Sequence, residues 1–398
     1  MNDDPPTTPS EPERLRVVIQ QPALAKYRIP VFRELASRPG IDLHVVFADD
    51  GNVPNVDAEG FRATFEPFRT WKGPGPELYW HPAQIRYATT EHADVVVLTW
   101  NTRFLSLVPA LRRARRKGVG TVLWGHGESK HEKRITRALR HWVARRADAT
   151  LFYTRSMASR FMEEGGPKDR TFVAPNSIDQ GPVAQARDAF RADPAASDRF
   201  RAEHRLTPGQ TLAFVSRFDP RNRLDLLFEA VPELLKQFPG LRVLVVGKGA
   251  DEANLRAAVE RLGIGSVVEF LGPIYEEQRL APVLCSSDAF VYPSNMGLSV
   301  LHAFGYALPV VTGDQRNLHG PEIEAVDHER NALFFPHGSL PELTNAVRRI
   351  LSDDALRARL SSGAAETVAH EYSIRNMVDG MEASIRAAAA RARARQRR

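Results

Sequence analysis

Cysteine, long apolar runs and the spacings typical of metal ligands are scarce or missing in this chain of 398 residues. Its one cysteine, Cys285, excludes an internal disulfide and fits a reducing cytoplasm. Because Cys285 precedes an apolar strand pattern, we expect a small core residue rather than a reactive thiol. No run of about 18 apolar residues occurs, which argues against a membrane-spanning helix. Cys and His residues nowhere show the spacing of a zinc site.

Basic residues are unevenly distributed. The net charge of the whole chain is only +6, yet residues 103–146 hold thirteen Lys and Arg residues against two glutamates, Glu128 and Glu132. A local excess of this size implies an anionic partner, which is a phospholipid surface, a nucleic acid or a phosphorylated substrate. Nothing in the sequence resembles a nucleic-acid-binding module, so we expect no nucleic-acid partner.

Strand and helix patterns alternate along most of the chain, with one interruption. Apolar runs such as 93–99 and 241–246 are each followed by helical periodicity. This order predicts an α/β fold with two doubly wound parallel sheets and a ligand site in the cleft between them. The predicted segments are a disordered tail (1–13), a first domain (14–180), a linker (181–208), a second domain (209–372), and a C-terminal helix with a basic tail (373–398) that returns to the first domain.

One βαβ unit stands out in the second half. The apolar run 289–292 ends at Pro293 and Ser294, and Gly297 then begins a helical pattern that leads to the next strand pattern near residue 311. The start of such a helix offers unpaired backbone N–H groups and a partial positive charge to an anion.

Arginines and glycines follow the first strands of the same half. Arg217, Arg221 and Arg223 cluster at a turn before a helix, where guanidinium groups suit a diphosphate. A solvated arginine turn explains them equally well. Gly247 and Gly249 allow the backbone to approach a ligand closely, although an ordinary turn between strand and helix also accounts for them.

Several motifs, taken in order, resemble glycosyltransferase family 4. In the second half they are the Arg217 turn, Gly247-Lys-Gly249, Phe270-Leu-Gly272, the run from Ser287 to Ser294, and the run from Gly297 to Val311. The first half adds Trp124-Gly-His-Gly127, Phe152-Tyr-Thr154 and Ala174-Pro-Asn-Ser-Ile-Asp179. The resemblance implies the GT-B architecture: two Rossmann-like doubly wound domains, an N-terminal one for the acceptor and a C-terminal one for the nucleotide-sugar donor, facing an inter-domain cleft. It also implies retaining glycosyl transfer.

The chain departs from the family pattern at the donor motif. The second of two expected glutamates falls at His302, and the first is absent because the turn 293–297 is short. Asn222 stands where a lysine is expected, so Arg221 or Arg223 would supply that charge. The order of Gly297, Ser299 and His302, followed by the run His319 to Glu324, resembles a variant subgroup with a histidine in place of the second glutamate.

The resemblance also implies donor-side roles. Arg217 would act as a catalytic residue that stabilises the leaving diphosphate, and Glu322 or Glu324 would replace the missing carboxylate near the transferred sugar, with Glu322 the catalytic residue. His302 would hold the donor ribose by a hydrogen bond. The further donor contacts are Arg221, Asn222, Arg223, Gly247, Gly249, Gly297, Leu298, Ser299 and Glu324. The structural alternatives are a polar helix face for His302 and an exposed turn for the two glutamates.

On the acceptor side, His126 lies between two glycines at a position resembling the active-site histidine of the family, where it would orient the donor sugar or the acceptor. The alternative is a turn histidine bonded to the backbone. Lys26, Tyr27 and Arg28 follow the first strand, where the acceptor loop of the family lies, and are predicted to bind the acceptor.

These observations predict a cytoplasmic retaining glycosyltransferase. It would move a sugar from a UDP or GDP donor to a hydroxyl of a lipid-linked or glycan acceptor, in cell-surface polysaccharide or glycoconjugate synthesis. Because arginine can balance the diphosphate and no Asp-x-Asp motif is present, we expect no cofactor and no metal. A GT-B scaffold that binds a sugar nucleotide without catalysis is the alternative. The basic helices predicted at 103–117 and 130–146 suit an anionic membrane surface, although core-facing helices explain their apolar residues as well.

Overall fold

The computed structural model describes residues 14–51, 53–74, 76–127 and 134–397. The tail predicted at residues 1–13 lies outside this part of the chain. Within it, contacts divide the molecule into two compact units. The first contains residues 14–175 and 374–397, and the second contains residues 176–373. No described helix has the length and apolar character needed to cross a bilayer.

The strands are short and mostly buried. In the first unit they are β1 (Leu15–Gln21), β2 (Ile41–Phe47), β3 (Arg62–Phe65), β4 (Arg69–Trp71), β5 (Leu78–Trp80), β6 (Val95–Thr99), β7 (Gly120–Gly125), β8 (Ala149–Phe152) and β9 (Thr171–Val173). In the second unit they are β10 (Thr211–Val215), β11 (Arg242–Val246), β12 (Val268–Gly272), β13 (Ala289–Val291), β14 (Val310–Gly313) and β15 (Ala332–Phe335).

Helices alternate with these strands. They are α1 (Ile29–Ala36), α2 (Pro82–Arg86), α3 (Leu107–Lys117), α4 (Arg134–Ala144), α5 (Arg155–Glu163), α6 (Gln180–Arg191), α7 (Pro194–Glu203), α8 (Leu224–Leu235), α9 (Glu252–Arg261), α10 (Glu277–Cys285), α11 (Ser299–Gly305), α12 (Leu340–Ser352), α13 (Asp354–His370) and α14 (Ile374–Gln396). Short 3₁₀ helices occur at Lys26–Arg28, Lys168–Arg170, Pro220–Asn222, Arg316–Leu318 and Pro321–Ala325.

The sheet of the first unit has the order β3-β2-β1-β6-β7-β8-β9, and each neighbouring pair is parallel. Its strands are apolar over most of their length because helices cover both faces. Helices α1 and α14 pack on one face, and helices α2 to α5 contribute to the core on the other. Strands β4 and β5 form a separate antiparallel pair.

The sheet of the second unit has the order β12-β11-β10-β13-β14-β15 and is also parallel throughout. One apolar core of buried residues joins the sheet to its helices. The predicted fold class is therefore confirmed: the chain forms two α/β domains with parallel, doubly wound sheets. In both sheets the turns that follow the strands lie at the carboxyl edge, where open α/β sheets bind ligands.

The predicted linker at 181–208 is wrong. Residues 180–203 form helices α6 and α7, which belong to the second unit. Asp179 accepts a hydrogen bond from Gly181 N at 2.9 Å and so caps α6, while Asp193 caps α7 in front of Pro194. Val183 and Ala186 are buried in the core of the unit. Gln180 and Arg187 also donate to backbone carbonyl groups of α11, so α6 is docked on the second unit, and the boundary between units falls after Pro175 instead.

Three further element predictions need correction. The sequence pattern over 77–89 weakly predicts a helix, but the structure has strand β5 followed by the short helix α2, because Pro82 begins a new helix. The basic helix predicted at 103–117 begins only at Leu107. Of the helix predicted at 130–146, residues 134–144 are helical, and 130–133 lie outside the described residues.

Helix α14 belongs to the first unit, where Met377, Met381 and Ile385 are buried against its sheet.

Candidate functional site

Three cations surround the turn after β10, and two of them are already paired. Arg221 donates to both oxygens of Asp219, at 2.9 and 2.7 Å. These hydrogen bonds are the main reason that the pKa of Asp219 falls to about 2. Arg223 lies 3.2 Å from Asp225. Arg217 is exposed and has no salt-bridge partner among the described residues, so it is the cation available to an incoming anion.

Asn222 is buried and bonded entirely to protein. Its Nδ2 donates to Arg217 O at 2.6 Å, and its Oδ1 accepts from Asn295 Nδ2 at 2.9 Å. Its own carbonyl accepts from Ser294 N at 3.1 Å. In this structure the side chain joins the Arg217 turn to the turn 293–297, and contact of Asn222 with the donor stays a prediction. The burial of Asn222 distinguishes a residue that links two turns from one that contacts the donor, and the sequence does not show this burial.

Gly247 and Gly249 are explained by close packing between turns. A Cβ at Gly247 would lie 1.9 Å from Ser216 O, and one at Gly249 would lie 2.2 Å from Phe218 O. Gly247 also has φ +145°, which favours glycine. Phe218 N donates to Lys248 O at 3.0 Å, so the two turns are joined by their backbones. Donor binding by these glycines stays a prediction.

His319 ties the turn 293–297 to the segment that carries the two predicted glutamates. Its Nδ1 accepts from Met296 N at 3.2 Å while its Nε2 donates to Gly313 O at 3.1 Å, which assigns a neutral ring with the proton on Nε2. Gly320 N also donates to Met296 O at 2.7 Å. The sequence motif contained His319 but did not reveal this positioning role.

Glu322 is a buried carboxylate beside the start of α11. It is 4% exposed, and its Oε1 accepts a hydrogen bond from Asn176 Nδ2. Its Oε2 lies 3.8 Å from where a Cβ of Gly297 would be, so the carboxylate borders the backbone at Gly297. Glu324 is half-buried in the same 3₁₀ helix. An exposed turn, the alternative considered for both glutamates, does not describe Glu322.

Helix α11 begins at Ser299, just after Gly297 and Leu298, and its histidine is engaged by a neighbouring helix. His302 Nε2 lies 2.9 Å from Glu277 Oε2 on α10, and Tyr306 donates to the same oxygen at 2.8 Å. Burial, reinforced by Glu277, raises the pKa of Tyr306. His302, which is expected to hold the donor ribose, is therefore bonded to α10 in this structure. This agrees with the alternative that His302 belongs to a polar face of its helix.

In the first unit, most of the predicted acceptor-side residues gather at the carboxyl edge of the sheet. The exposed His126 follows β7, and its ring lies 4.8 Å from the ring of Tyr153, which follows β8. Arg28 is buried with its guanidinium over the rings of Tyr27, Trp124 and Tyr153. Lys26 is exposed and takes no part in these ring contacts.

The motifs of the first half contain Trp124 and Tyr153 but predict no role for either residue. Aromatic residues at the ends of two neighbouring strands were the signal that could have identified them as a pair. Among the described residues, no group of three His, Cys, Asp or Glu side chains could hold a metal ion. Independence of metals stays a prediction.

Two family models match parts of this chain. A family model described as "Glycosyl transferases group 1" matches residues 209–353, and one described as "Glycosyltransferase Family 4" matches residues 31–181.

Among curated proteins, the chain is 26% identical over 257 residues to a GDP-mannose-dependent alpha-(1-6)-phosphatidylinositol monomannoside mannosyltransferase from Mycolicibacterium smegmatis, covering 62% of this chain and 64% of that protein. It is 30% identical over 242 residues to a D-inositol 3-phosphate glycosyltransferase from Segniliparus rotundus, covering 58% of this chain and 52% of that protein. The matched part thus spans less than two thirds of either relative.

Solved structures share the fold at low identity. The structure of Anabaena Alr3699/HepE in complex with UDP superposes with a TM-score of 0.70 at 16% identity, covering 94% of this chain and 99% of the other. Sucrose-phosphate synthase from Thermosynechococcus elongatus superposes with a TM-score of 0.65 at 20% identity, covering 94% and 98%.

Proposed function

The chain belongs to the group 1 glycosyltransferases of family 4 and has their GT-B architecture, and from this premise we propose that it transfers a sugar from a nucleotide-sugar donor to a hydroxyl group. The acceptor is a lipid-linked or glycan molecule of cell-surface polysaccharide or glycoconjugate synthesis, and transfer proceeds with retention at the anomeric carbon. The activities for which the mannosyl- and glycosyltransferase relatives are named support this reaction class.

One observation carries the proposal. Three turns of the second unit, holding Arg217, Gly297 and Glu322, are joined by direct hydrogen bonds. Asn222 bonds the first to the second, and the bonds of Met296 to His319 and Gly320 join the second to the third. An exposed cation, a helix start and a buried carboxylate are therefore held in a defined relation to one another at one sheet edge.

This set fits the charges of glycosyl transfer. The leaving nucleoside diphosphate gains negative charge, which Arg217 stabilises by charge-assisted hydrogen bonds. The transferred sugar gains positive charge at the anomeric carbon, which the nearby Glu322 carboxylate stabilises. The donor carries a uridine or guanosine diphosphate, and no metal is required if arginine balances the diphosphate.

Substitution of Arg217 by alanine tests the donor assignment. Nucleotide-sugar turnover should fall by more than ~10-fold, because a charge-assisted contact to the leaving group is lost. Arg279→Ala is the control, because Arg279 is an exposed arginine of the same unit whose ion-pair distance to Glu276 is 3.6 Å. Equal activity of both variants rejects the assignment.

Repeating the assay in EDTA tests metal independence, and the anomeric proton signals of the product test retention.

The bond between His302 and Glu277 favours a second candidate, a scaffold that binds sugar nucleotides without catalysis. A side chain expected at the donor is engaged elsewhere, and the two family glutamates are absent. Calorimetry with a panel of nucleotide sugars, followed by a hydrolysis assay, separates the candidates. Binding with neither transfer nor hydrolysis identifies the scaffold, whereas release of the nucleoside diphosphate identifies the enzyme.

We also propose that the first unit rests on an anionic membrane surface. Helices α3 and α4 contribute to the core on the same face of the sheet. Ile135 is 84% exposed and Leu139 is 45% exposed one turn later, with Arg134 and Arg137 exposed beside them. The exposed cations of α3 are Arg112, Arg113, Arg115, Arg116 and Lys117. Apolar residues among cations suit insertion between anionic headgroups.

A further inference from the structure

Arg28 is a buried cation without a counter-charge. The residue is 4% exposed, and no carboxylate lies within ion-pair distance of it in the described part of the chain. The one hydrogen bond that its guanidinium makes there runs from Nη1 to Met377 Sδ at 3.6 Å. A thioether sulfur is a weak acceptor, whereas a guanidinium carries five N–H donors.

Aromatic rings provide the remaining contacts. The Cζ atom of Arg28 lies 5.0 Å from the ring centre of Tyr27, 4.8 Å from that of Trp124 and 5.4 Å from that of Tyr153. Such contacts attract a cation but accept no conventional hydrogen bonds and supply no full negative charge. Trp124 Nε1 is also buried without a hydrogen-bond partner among the described residues. Among the described residues, the group around Arg28 therefore contributes a cation and a free indole N–H but no carboxylate.

The position of Arg28 and the rings around it points to a ligand. Arg28 lies in the segment that follows β1, Trp124 is the second-last residue of β7, and Tyr153 follows β8 directly. All three lie at the carboxyl edge of a parallel sheet, where ligands of such folds bind. The ring of Tyr153 also contacts His126, the residue predicted to orient the reacting groups.

We propose that Arg28 binds a phosphate group of the acceptor, so that the acceptor is a phosphate-bearing molecule. This inference rests on the proposed glycosyl transfer. A phosphate offers several acceptor oxygens and a full negative charge, which are the two things that the surroundings of Arg28 lack. The aromatic rings hold the guanidinium in place before the phosphate arrives, and the contact selects acceptors by their charge.

The test uses the full-length protein saturated with UDP or GDP, whichever binds, so that the phosphate contacts of the donor unit are occupied. Two probes represent the two sources of phosphate: glycerol 3-phosphate in solution, with glycerol as its uncharged counterpart, and phosphatidylglycerol vesicles, with phosphatidylcholine vesicles for comparison. Calorimetry and vesicle sedimentation measure binding. Arg28→Met should weaken binding of one or both phosphate probes at least ~10-fold, the effect expected on losing a hydrogen-bonded charge.

The matched control is Arg33→Met, which removes an exposed arginine of the adjacent helix that is paired with Glu59 at 2.9 Å. It should leave binding of both phosphate probes unchanged. If Arg28→Met does not fold, Arg28→Lys keeps the charge but loses the fork of donors, and it should still weaken phosphate binding. Weakened binding of glycerol 3-phosphate supports a soluble phosphate acceptor, and weakened binding of vesicles alone supports a lipid one.

The two proposals fail differently. Absence of nucleoside diphosphate binding in the wild type rejects the proposed function itself. Normal nucleotide binding together with phosphate probes that bind Arg28→Met as tightly as the wild type, or that do not bind the wild type at all, overturns only the assignment of Arg28.

Discussion

Single buried polar side chains hold the turns of the second unit in position. Asn222, His319 and Asn176 each bond to a neighbouring turn, and together they fix where Arg217, Gly297 and Glu322 stand. Buried amides and imidazoles suit this task, because a lost bond leaves a desolvated partner and therefore costs more than an exposed bond would. At this scale, geometry rather than residue type separates the residues that support the site from those free to bind a ligand.

Replacing Asn222 by alanine should destabilise the second unit by about 1–3 kcal/mol, because Arg217 O and Asn295 Nδ2 both lose a partner in a partly buried setting. Thermal and urea unfolding measure the change. Asn254→Ala is the control, since Asn254 is exposed and its amide bonds only to Asp251 nearby. An equal effect of the two substitutions would show that Asn222 does not link the turns.

Histidine burial predicts a pH dependence. His81 is fully buried, neither ring nitrogen has a hydrogen-bond partner among the described residues, and desolvation lowers its pKa to about 4. Between pH 6.5 and 4 the unfolded chain binds a proton that the folded chain excludes, so stability falls as the pH is lowered through this window, by up to about 3 kcal/mol. Above pH 6.5 this contribution is fully present.

Melting temperatures across this range, compared with those of His81→Phe, test the prediction. The variant should lose less stability on acidification, because its ring cannot be protonated in the unfolded state. His370→Gln, at an exposed position on α13, serves as control. A His81→Phe profile as steep as that of the wild type would contradict the prediction. His44, whose pKa burial also lowers to about 4, should maintain part of the slope in every variant.

At the scale of elements, α14 packs on the first sheet through small residues. A Cβ at Gly380 would lie 2.0 Å from Val173 O, and a Cβ at Gly120 would lie 2.7 Å from Ala388 O. Helix and strand backbones therefore approach more closely than ordinary side chains allow. The glycines inside this helix and this strand, which weaken each element taken alone, are required by the packing between them.

Gly380→Ala should therefore destabilise the first unit, although alanine is the better helix former by about 1 kcal/mol. The reason is that a clash with backbone can be relieved only by moving the helix. The reverse change at an exposed position of the same helix, Ala390→Gly, should cost only the difference in helix propensity. Thermal unfolding compares the two variants, and a Gly380→Ala protein as stable as the wild type would refute this account of the packing.

For the whole molecule, charge and exposed apolar residues are concentrated on the first unit. The cations of α3 and α4 belong to helices on the side of the sheet that α14 does not cover, and Ile135 on α4 is 84% exposed. A surface with this composition binds anionic lipid by electrostatic attraction and is anchored by its apolar side chains.

Ile135→Glu should reduce sedimentation with phosphatidylglycerol vesicles several-fold, because the substitution removes the most exposed apolar side chain and adds a repelled charge. Binding should also weaken as salt is raised. Tyr275→Glu is the matched control, since Tyr275 is 69% exposed on the second unit. If both variants sediment like the wild type in low salt, the first unit has no membrane-binding face.

Features that depend on local interactions could be predicted from the sequence, whereas features that depend on long-range contacts could not. Apolar periodicity is local, and it predicted most strands and helices within a few residues. It failed at 181–208, where α6 fully buries Val183 and Ala186 and is also held by hydrogen bonds to α11, and at 77–89, where the three residues of β5 are too few to show a pattern. Motif order identified the family, the Arg217 turn and the residues around His126.

What the sequence by itself determined is therefore the class of fold, the family and the set of polar residues at the strand ends, because each depends on residue types and short spacings. Only the tertiary structure decided what each of those residues does. Asn222 and His302 bond to protein, Arg217 has no salt-bridge partner among the described residues, and Arg28 is buried among three rings. These outcomes depend on partners far away in the chain, and no local pattern records which of them will meet.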